Sequence, residues 1–218
     1  MSDPRTRLAA AAAAWDELRP LLAPEALERL ALLLSEARRS TGEAAERAAL
    51  LAARLLGEQL PDRFPGDGRL TLAPEAPEAP AEGRPGFVAD DLAVLVLDGH
   101  RMIGPVLGEV RDRLLAAPSL GDAQALEGGC DPYAPGLIRL RAAGGLIRLP
   151  AFQFTADGAV RERVRAVNLV LDADADPWGA ADWWLSPNAW LAAVPVALLG
   201  TEGERDLLAA AQYLTEGE

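Results

Sequence analysis

Three alternate aspartates are the clearest candidate for chemistry in this chain of 218 residues. Asp172, Asp174 and Asp176 have the spacing with which a calcium-binding loop begins, because such a loop takes ligands from alternate positions. The loop also needs a glycine at its sixth position and a bidentate glutamate at its twelfth, where this chain has Pro177 and Trp183. The pattern therefore predicts a solvated loop that ends in a helix N-cap, with no metal bound.

Other side chains that could carry catalysis are scarce. There is one histidine, His100, in the turn LDGHRMIG, and one cysteine, Cys130, which has no base near it in sequence. The chain contains no lysine and none of the usual motifs of nucleotide-binding proteins, serine hydrolases or zinc proteases. The sequence thus predicts that the protein is not an enzyme and binds no cofactor.

The charge is acidic and unevenly distributed. The formal net charge is −12, and residues 151–218 carry 4 arginines against 11 acidic residues. Because nucleic-acid affinity depends on cations that displace phosphate counterions, this balance argues against a nucleic-acid partner and favours a basic protein surface. The single cysteine, the absence of a signal-peptide pattern and the weakly apolar run Ala9–Ala14 predict a cytoplasmic protein without a membrane span.

The pattern of apolar residues predicts a mainly α fold in four parts. Residues 1–60 have amphipathic periodicity and predict a helical hairpin or bundle, whose alanine-rich faces could support a homo-oligomer. Residues 61–86 are rich in proline and glycine and predict a linker with a domain boundary. Residues 87–136 predict short helices similar to a degenerate helix-turn-helix, and residues 137–218 predict a small helical domain with one short β-hairpin.

Capping residues and prolines predict where several helices begin. The expected N-termini are Pro24, Ser40 with Glu43, Ser119 with Asp122, Asp176–Pro177, Ser186–Pro187, and Thr201 with Glu204. The β-hairpin is predicted from two similar segments, 137–140 and 146–149, which flank the loop sequence RAAGG.

Tryptophan is concentrated in one segment, where thirteen positions hold Trp178, Trp183, Trp184 and Trp190. Tryptophan buries a large area and is enriched in binding hot spots, so the segment could be core or partner surface. Trp183 and Trp184 are adjacent and point about 100° apart on a helix, so they cannot both face the centre of one small core. At least one of them is expected to contact a neighbouring element or a partner, and a core made of all four is the alternative.

Three segments of the last third occur in a defined order, with the sequences GGLIRLPAFQFTADG, ERVRAVNLVL and DPWGAADWWLSPNAWLAAVPVALLG. Together, over residues 137–215, they resemble the antitoxin Xre/MbcA/ParS-like toxin-binding domain. The resemblance implies a bacterial antitoxin module whose C-terminal part covers the active site of a toxin, usually a RES-domain protein that consumes NAD.

The resemblance also implies which residues face the toxin, with the tail 201–218 able to contribute. The candidate partner-binding residues are Trp183, Trp184, Pro187, Asn188, Trp190 and Leu191.

Two other functions are compatible with the sequence. Residues 88–135 could form a DNA-binding transcriptional regulator if five arginines made a positive face, although prolines in CDPYAPGL interrupt the segment where a recognition helix would lie. These arginines are Arg101, Arg111, Arg113, Arg139 and Arg141. The chain could instead be an oligomeric structural adaptor that associates through residues 1–60.

Overall fold

The computed structural model describes residues 3–64 and 86–216 of the chain. Their fold is mainly α, with ten α-helices and one antiparallel sheet of three short strands, which confirms the predicted fold class. The chain divides into two compact units, Met1–Glu109 and Val110–Glu218. Most of the predicted linker 61–86 lies outside the described residues. Within the described residues, no helix is both long and apolar enough to span a bilayer.

The N-terminal unit is built from helices whose apolar faces meet in one core. These helices are α1 (Pro4–Ala13), α2 (Trp15–Leu18), α3 (Pro24–Arg39), α4 (Gly42–Gln59) and α5 (Ala89–Ala93). Helices α3 and α4 form the predicted hairpin, and α1 packs against α4 and α5. Leu8, Leu30, Leu56 and Leu92 are almost fully buried between them. Burial of each such side chain contributes roughly 1.5–3 kcal/mol, so the shared apolar stripe accounts for the association of these helices.

The structure divides the chain at a later point than the boundary predicted from the sequence. Leu92 and Ala93 of α5 lie in the same apolar core as the helices that precede residue 61. The N-terminal unit therefore continues beyond the segment 61–86, and the division falls within α6 (Gly104–Ala116). Residues 87–136, predicted as one region, are shared between the two units.

A buried ion pair fixes the chain where α5 ends. Beyond α5, residues 94–98 form one π-helical turn, in which the N–H of Gly99 donates to the carbonyl oxygen of Val94 at 3.0 Å. The Asp98 side chain is 2% exposed and accepts hydrogen bonds from Arg38 Nη1 at 2.9 and 3.1 Å. Because this carboxylate is buried and both of its oxygens accept from the Nη1 group of Arg38, it holds the π-helical turn against α3.

Some of the predicted helix starts are confirmed and others are wrong. Helix α3 begins at Pro24 as predicted. The capping box of Ser40 with Glu43 does not form, because the Ser40 hydroxyl instead donates to the Glu36 carboxylate at 2.9 Å and α4 begins at Gly42. Ser119 does not begin a helix either, because it lies in a strand.

The C-terminal unit combines a small sheet with four further helices. Its elements are β1 (Ser119–Leu120), α7 (Asp122–Glu127), β2 (Leu140–Arg141), β3 (Ile147–Pro150), α8 (Glu162–Val170), α9 (Pro177–Leu185) and α10 (Leu207–Glu216). Strand β3 is central and pairs antiparallel with β2, which confirms the predicted hairpin in a shorter form. It also pairs with β1, where Ser119 lies opposite Pro150.

Buried apolar side chains hold the sheet, α7 and the segment after β3 together. Leu137, Leu149 and Phe154 form this core with Ala125 and Cys130. Phe154 is followed by the predicted Asp-Gly turn, which is closed by the Thr155 N–H donating to the Ala159 carbonyl at 2.8 Å. Helix α8 follows this turn and packs against α10.

Candidate functional site

Helix α9 carries three of the four clustered tryptophans and is fixed at both ends. At its start, Asp176 Oδ1 accepts a hydrogen bond from the Gly179 N–H at 2.9 Å, which confirms the predicted N-cap. At its end, the Arg113 guanidinium donates to the Leu185 carbonyl at 3.3 Å and pairs with Asp182. A cation at a helix C-terminus satisfies free carbonyl groups and interacts favourably with the helix dipole. The tryptophans therefore stand on a well-anchored element.

The aspartates that precede α9 have separate structural roles. Asp174 accepts a hydrogen bond from the Gly136 N–H at 2.9 Å and forms an ion pair with Arg139. The Gly136 N–H and the Arg139 guanidinium both favour the ionised carboxyl group and lower the pKa of Asp174. Asp176 is the cap of α9, and the described residues contain no group of three or more His, Cys, Asp or Glu that could hold a metal ion.

Trp184 is a core residue, which corrects its assignment to the partner-binding surface. Its side chain is fully buried, and its ring packs on Phe152 with the ring centroids 5.2 Å apart. The indole Nε1 donates to Asn168 Oδ1 at 2.7 Å. A buried indole needs an acceptor for its N–H, and Asn168 supplies one inside the unit, so Trp184 has no group left for a partner.

Asn168 belongs to a buried polar network that was not predicted from the sequence. Its Nδ2 donates to the Gly136 carbonyl at 2.9 Å and to Gln153 Oε1 at 3.0 Å. The Gln153 amide also bonds both backbone groups of Ile138, accepting from the N–H at 2.7 Å and donating to the carbonyl at 3.1 Å. Gln153 and Asn168 are fully buried, and the side-chain amides of both find hydrogen-bond partners within the unit.

A signal for one member of this network was present in the sequence. Asn168 stands four residues after Val164 and therefore lies on the apolar face of α8, where a polar side chain needs a buried partner. Gln153 carries no such signal, because the short segment around it has no regular period.

Trp183 lies between core and surface. It is partly buried, and its ring meets Trp184 edge to face, with 5.2 Å between centroids and an angle of 90° between planes. Its Nε1 is buried and has no hydrogen-bond acceptor among the described residues. An unpaired buried donor destabilises the fold by about 1–3 kcal/mol, and the packing of the Trp183 ring must offset this cost. Trp178 is a core residue, 8% exposed.

The segment after α9 forms a turn, and the helix predicted from Ser186–Pro187 is absent. The Asn188 N–H donates to the Ala193 carbonyl at 2.9 Å. Asn188 Oδ1 also accepts hydrogen bonds from the N–H groups of Trp190 at 3.0 Å and Leu191 at 3.1 Å. An asparagine side chain that takes neighbouring N–H groups competes with a helix, which explains the difference. We refer to residues 186–194 as the Asn188 turn.

The Asn188 turn exposes part of the predicted partner-binding set. Trp190 is 53% exposed and Pro187 is exposed, whereas Asn188 and Leu191 are partly buried. Together with Trp183, five of the six predicted residues therefore have some surface, and only Trp184 has none. Of these six residues, only Trp190 is an exposed tryptophan.

The arginines considered for DNA binding are mostly neutralised within the chain. Four of the five form ion pairs with acidic side chains. Residues 128–139, where a recognition helix would lie, contain no helix, as the two prolines of CDPYAPGL predicted. The pairs are Arg101 with Asp16, Arg111 with Asp112, Arg113 with Asp182 and Arg139 with Asp174.

The surroundings of His100 and Cys130 do not favour a catalytic role for either side chain. His100 Nδ1 accepts a hydrogen bond from the Met102 N–H at 3.3 Å. Burial and the neighbouring Asp131 raise the pKa of the Cys130 thiol. A buried thiol with a raised pKa is a poor nucleophile, because the thiolate is the reactive form.

Comparisons with known proteins give no relative for this chain. No protein-family model matches it, and no curated protein or solved structure matches it either.

Proposed function

We propose that the C-terminal unit is a non-catalytic protein-binding module and that the Asn188 turn is its contact surface. The observation that carries this proposal is the exposure of Trp190 on that turn. A tryptophan in this position leaves a large apolar area in water, and tryptophan is strongly enriched among residues that dominate binding energy. Pro187 adds a second exposed apolar side chain to the same turn.

The hydrogen bonds of the Asn188 turn prepare it for binding. Asn188 fixes the backbone of Trp190 and Leu191 from its side chain and that of Ala193 from its own N–H. A loop that is already ordered loses less conformational entropy when a partner binds, so more of the contact energy appears as affinity. The indole of Trp190 is therefore presented from a defined backbone.

The charge and the sequence resemblance together indicate the kind of partner. Residues 151–218 carry an excess of acidic side chains, which favours a basic surface on the partner. The resemblance of residues 137–215 to the antitoxin Xre/MbcA/ParS-like domain supports a RES-domain toxin that consumes NAD. In this proposal the pair acts in the bacterial cytoplasm, and the acidic C-terminal residues lie over a basic nucleotide pocket of the toxin.

The first experiment asks whether this partner exists. The chain should co-purify with a RES-domain protein encoded by an adjacent gene, and the complex should survive size-exclusion chromatography. If no such gene is adjacent and no complex forms with a RES-domain protein, the toxin assignment is rejected.

The second experiment measures the role of Trp190 in that complex. Trp190→Ala should weaken binding by about 2 kcal/mol or more, roughly thirtyfold in Kd, because it removes the central apolar contact. Its melting temperature should stay close to that of the unmodified protein, since the side chain is largely in water. Isothermal titration calorimetry gives the affinity, and circular dichroism gives the melting temperature.

Leu126→Ala is a matched control for this variant. Leu126 is an exposed apolar side chain of the same unit, 61% in water, on α7 and outside the Asn188 turn. It should bind the partner as the unmodified protein does. Unchanged affinity of Trp190→Ala would remove the Asn188 turn from the contact surface.

A further inference from the structure

Two adjoining cavities lie in the N-terminal unit. None of their lining residues belongs to the proposed protein-binding surface. Their volumes are about 410 and 480 Å³. Trp15, Asp16, Leu95 and Arg101 line both cavities, so the two spaces share one wall. Sites for small molecules have volumes of roughly 300–1,000 Å³, and either cavity alone lies in this range.

The larger cavity combines an apolar wall with an unusual backbone. Trp15 and Leu27 form part of the apolar wall, and Leu95 and Val96 extend it. The last two belong to the π-helical turn 94–98, which ends at Gly99 with a left-handed φ of +71°. Turns of π-helix are rare and often lie at functional sites, because they redirect side chains that a regular helix would place elsewhere.

The same cavity contains charges of both signs in equal number. Arg19 and Arg101 are its guanidinium groups, and Asp16 and Glu28 are its carboxylates. Arg101 and Asp16 already pair with each other at 2.8 Å, with both side chains largely exposed. Within the described residues no ion pair or hydrogen bond engages the side chain of Arg19 or Glu28.

The charges decide which class of molecule fits this cavity. A simple anion would be attracted by Arg19 but repelled by Glu28. A simple cation would be attracted by Glu28 but repelled by Arg19. A molecule with one charge of each sign satisfies both free groups. The apolar wall next to them needs an apolar body on the same molecule.

We propose that this cavity binds a small zwitterion with an apolar body, of which a free hydrophobic amino acid is the simplest example. Its carboxylate pairs with Arg19, its ammonium group pairs with Glu28, and its side chain packs on Trp15 and Leu95. This site belongs to the N-terminal unit and does not depend on the protein-binding function proposed for the C-terminal unit.

Calorimetric titration of the full chain tests the site with four probes. L-Phenylalanine and L-leucine carry both charges, 3-phenylpropanoate lacks the ammonium group, and 2-phenylethylamine lacks the carboxylate. At least one amino acid should bind saturably, and each phenyl analogue should bind about threefold or more weakly than L-phenylalanine, since one exposed ion pair is lost. The proposal is overturned if neither amino acid binds saturably up to about 20 mM, or if the analogues bind as well as L-phenylalanine.

Two substitutions then assign the charged contacts. Arg19→Gln should weaken binding of L-phenylalanine and 3-phenylpropanoate but leave that of 2-phenylethylamine unchanged. Glu28→Gln should weaken binding of L-phenylalanine and 2-phenylethylamine but leave that of 3-phenylpropanoate unchanged. Both side chains are exposed, so the variants should fold.

The matched controls are Glu25→Gln on α3 and Arg54→Gln on α4. Both residues are exposed and line neither cavity, so these variants should bind all four probes as the unmodified protein does. The assignment is overturned if the controls lose as much affinity for L-phenylalanine as the Arg19 and Glu28 variants do. It is also overturned if the Arg19 and Glu28 variants keep full affinity.

Discussion

The side chain of Asn168 lies between polar groups of three other segments, all without access to water. It donates to the Gly136 carbonyl and to the Gln153 amide oxygen, and it accepts the indole N–H of Trp184. Each of these groups has lost its bonds to water on folding, and the Gly136 carbonyl and the Trp184 indole N–H depend on Asn168 for replacement. The three segments are held by one residue, and the free energy of unfolding should be sensitive to it.

Asn168→Ala should lower the free energy of unfolding of the C-terminal unit by about 3–5 kcal/mol, because it leaves the buried Gly136 carbonyl and the buried Trp184 indole N–H unpaired. The control Gln212→Ala removes an exposed amide from α10 and should change stability by less than about 0.5 kcal/mol. Urea unfolding followed by tryptophan fluorescence measures both. Substitution of a surface residue changes stability by up to roughly 0.5–1 kcal/mol. A loss no larger than about 1 kcal/mol for Asn168→Ala would therefore contradict the role assigned to the network.

Gly136 combines a left-handed backbone conformation, which glycine adopts readily, with a close neighbour. Its φ is +77°, and a Cβ atom added there would lie 3.0 Å from Leu169 Cγ. Gly144 has the same φ of +77° with no atom within 4 Å of an added Cβ. The two glycines thus separate the cost of the backbone conformation from the cost of the clash.

Gly144→Ala should destabilise the protein by about 1–2 kcal/mol, the usual cost of a left-handed conformation for alanine. Gly136→Ala should cost about 1–3 kcal/mol more, because Leu169 must also move. Urea unfolding of the two variants side by side gives the difference. Equal losses would show that Leu169 yields without cost.

At the level of helices and loops, the sequence predicted elements where a regular apolar period coincided with a clear start. Helix α3 has both, with Pro24 at its start and a leucine stripe along it. Ser186–Pro187 has the same kind of start signal as Asp176–Pro177, but only the latter begins a helix. The difference is Asn188, whose side chain binds the N–H groups that a helix would use, and a start signal alone does not include this competition.

Strand β1 shows a second limit, set by its length. Two residues are too few for an alternating pattern, and their partners in β3 lie about thirty residues further along the chain.

The candidate site could be predicted from the sequence only in part, again because some contacts are distant along the chain. Adjacency correctly separated Trp183 from Trp184, but the burial of Trp184 depends on Asn168 and Phe152, which contact it only in the folded unit.

The loop before α9 should make the C-terminal unit sensitive to acid. The pKa of Asp174 is lowered by the Gly136 N–H and by Arg139, so the folded state favours its ionised form. This contribution to stability is fully present above the ordinary pKa of 3.8 and is lost as the pH falls through the lower folded value. Asp174→Asn should therefore destabilise the unit at pH 7 and much less below that range.

Urea unfolding at neutral and acidic pH measures this difference. Asp172→Asn is the control, since no hydrogen bond or ion pair of its side chain is found among the described residues. The control should lose little stability at either pH. A loss for Asp174→Asn that is the same at both pH values would contradict a contribution from the ionised carboxylate.

For the whole chain, the net charge of −12 keeps molecules apart at neutral pH. The sequence isoelectric point is about 4.6, where this repulsion disappears. Light scattering over a pH series should show the lowest solubility near pH 4.6, and added acid below that value should restore it. A solubility minimum at neutral pH would mean that association depends on a surface feature and not on net charge.

The division of the chain into units was the part of the whole fold that the sequence predicted least well. The composition of residues 61–86 marks a segment without regular structure, but it carries no information on whether the helices on either side share a core. Leu92 and Ala93 do share the core of the N-terminal helices. Their periodicity alone predicts a buried face and does not identify the surface against which it is buried.

The amide of Gln153 has one further consequence, for the alignment of the chain. It bonds both backbone groups of Ile138 as a neighbouring strand would, while Asn168 bonds Gly136 two residues earlier. A shift of this segment by one residue would place Arg139 in the fully buried position of Ile138 and remove its charge from water. The two amides therefore stabilise one register of residues 136–138 relative to registers shifted by one residue.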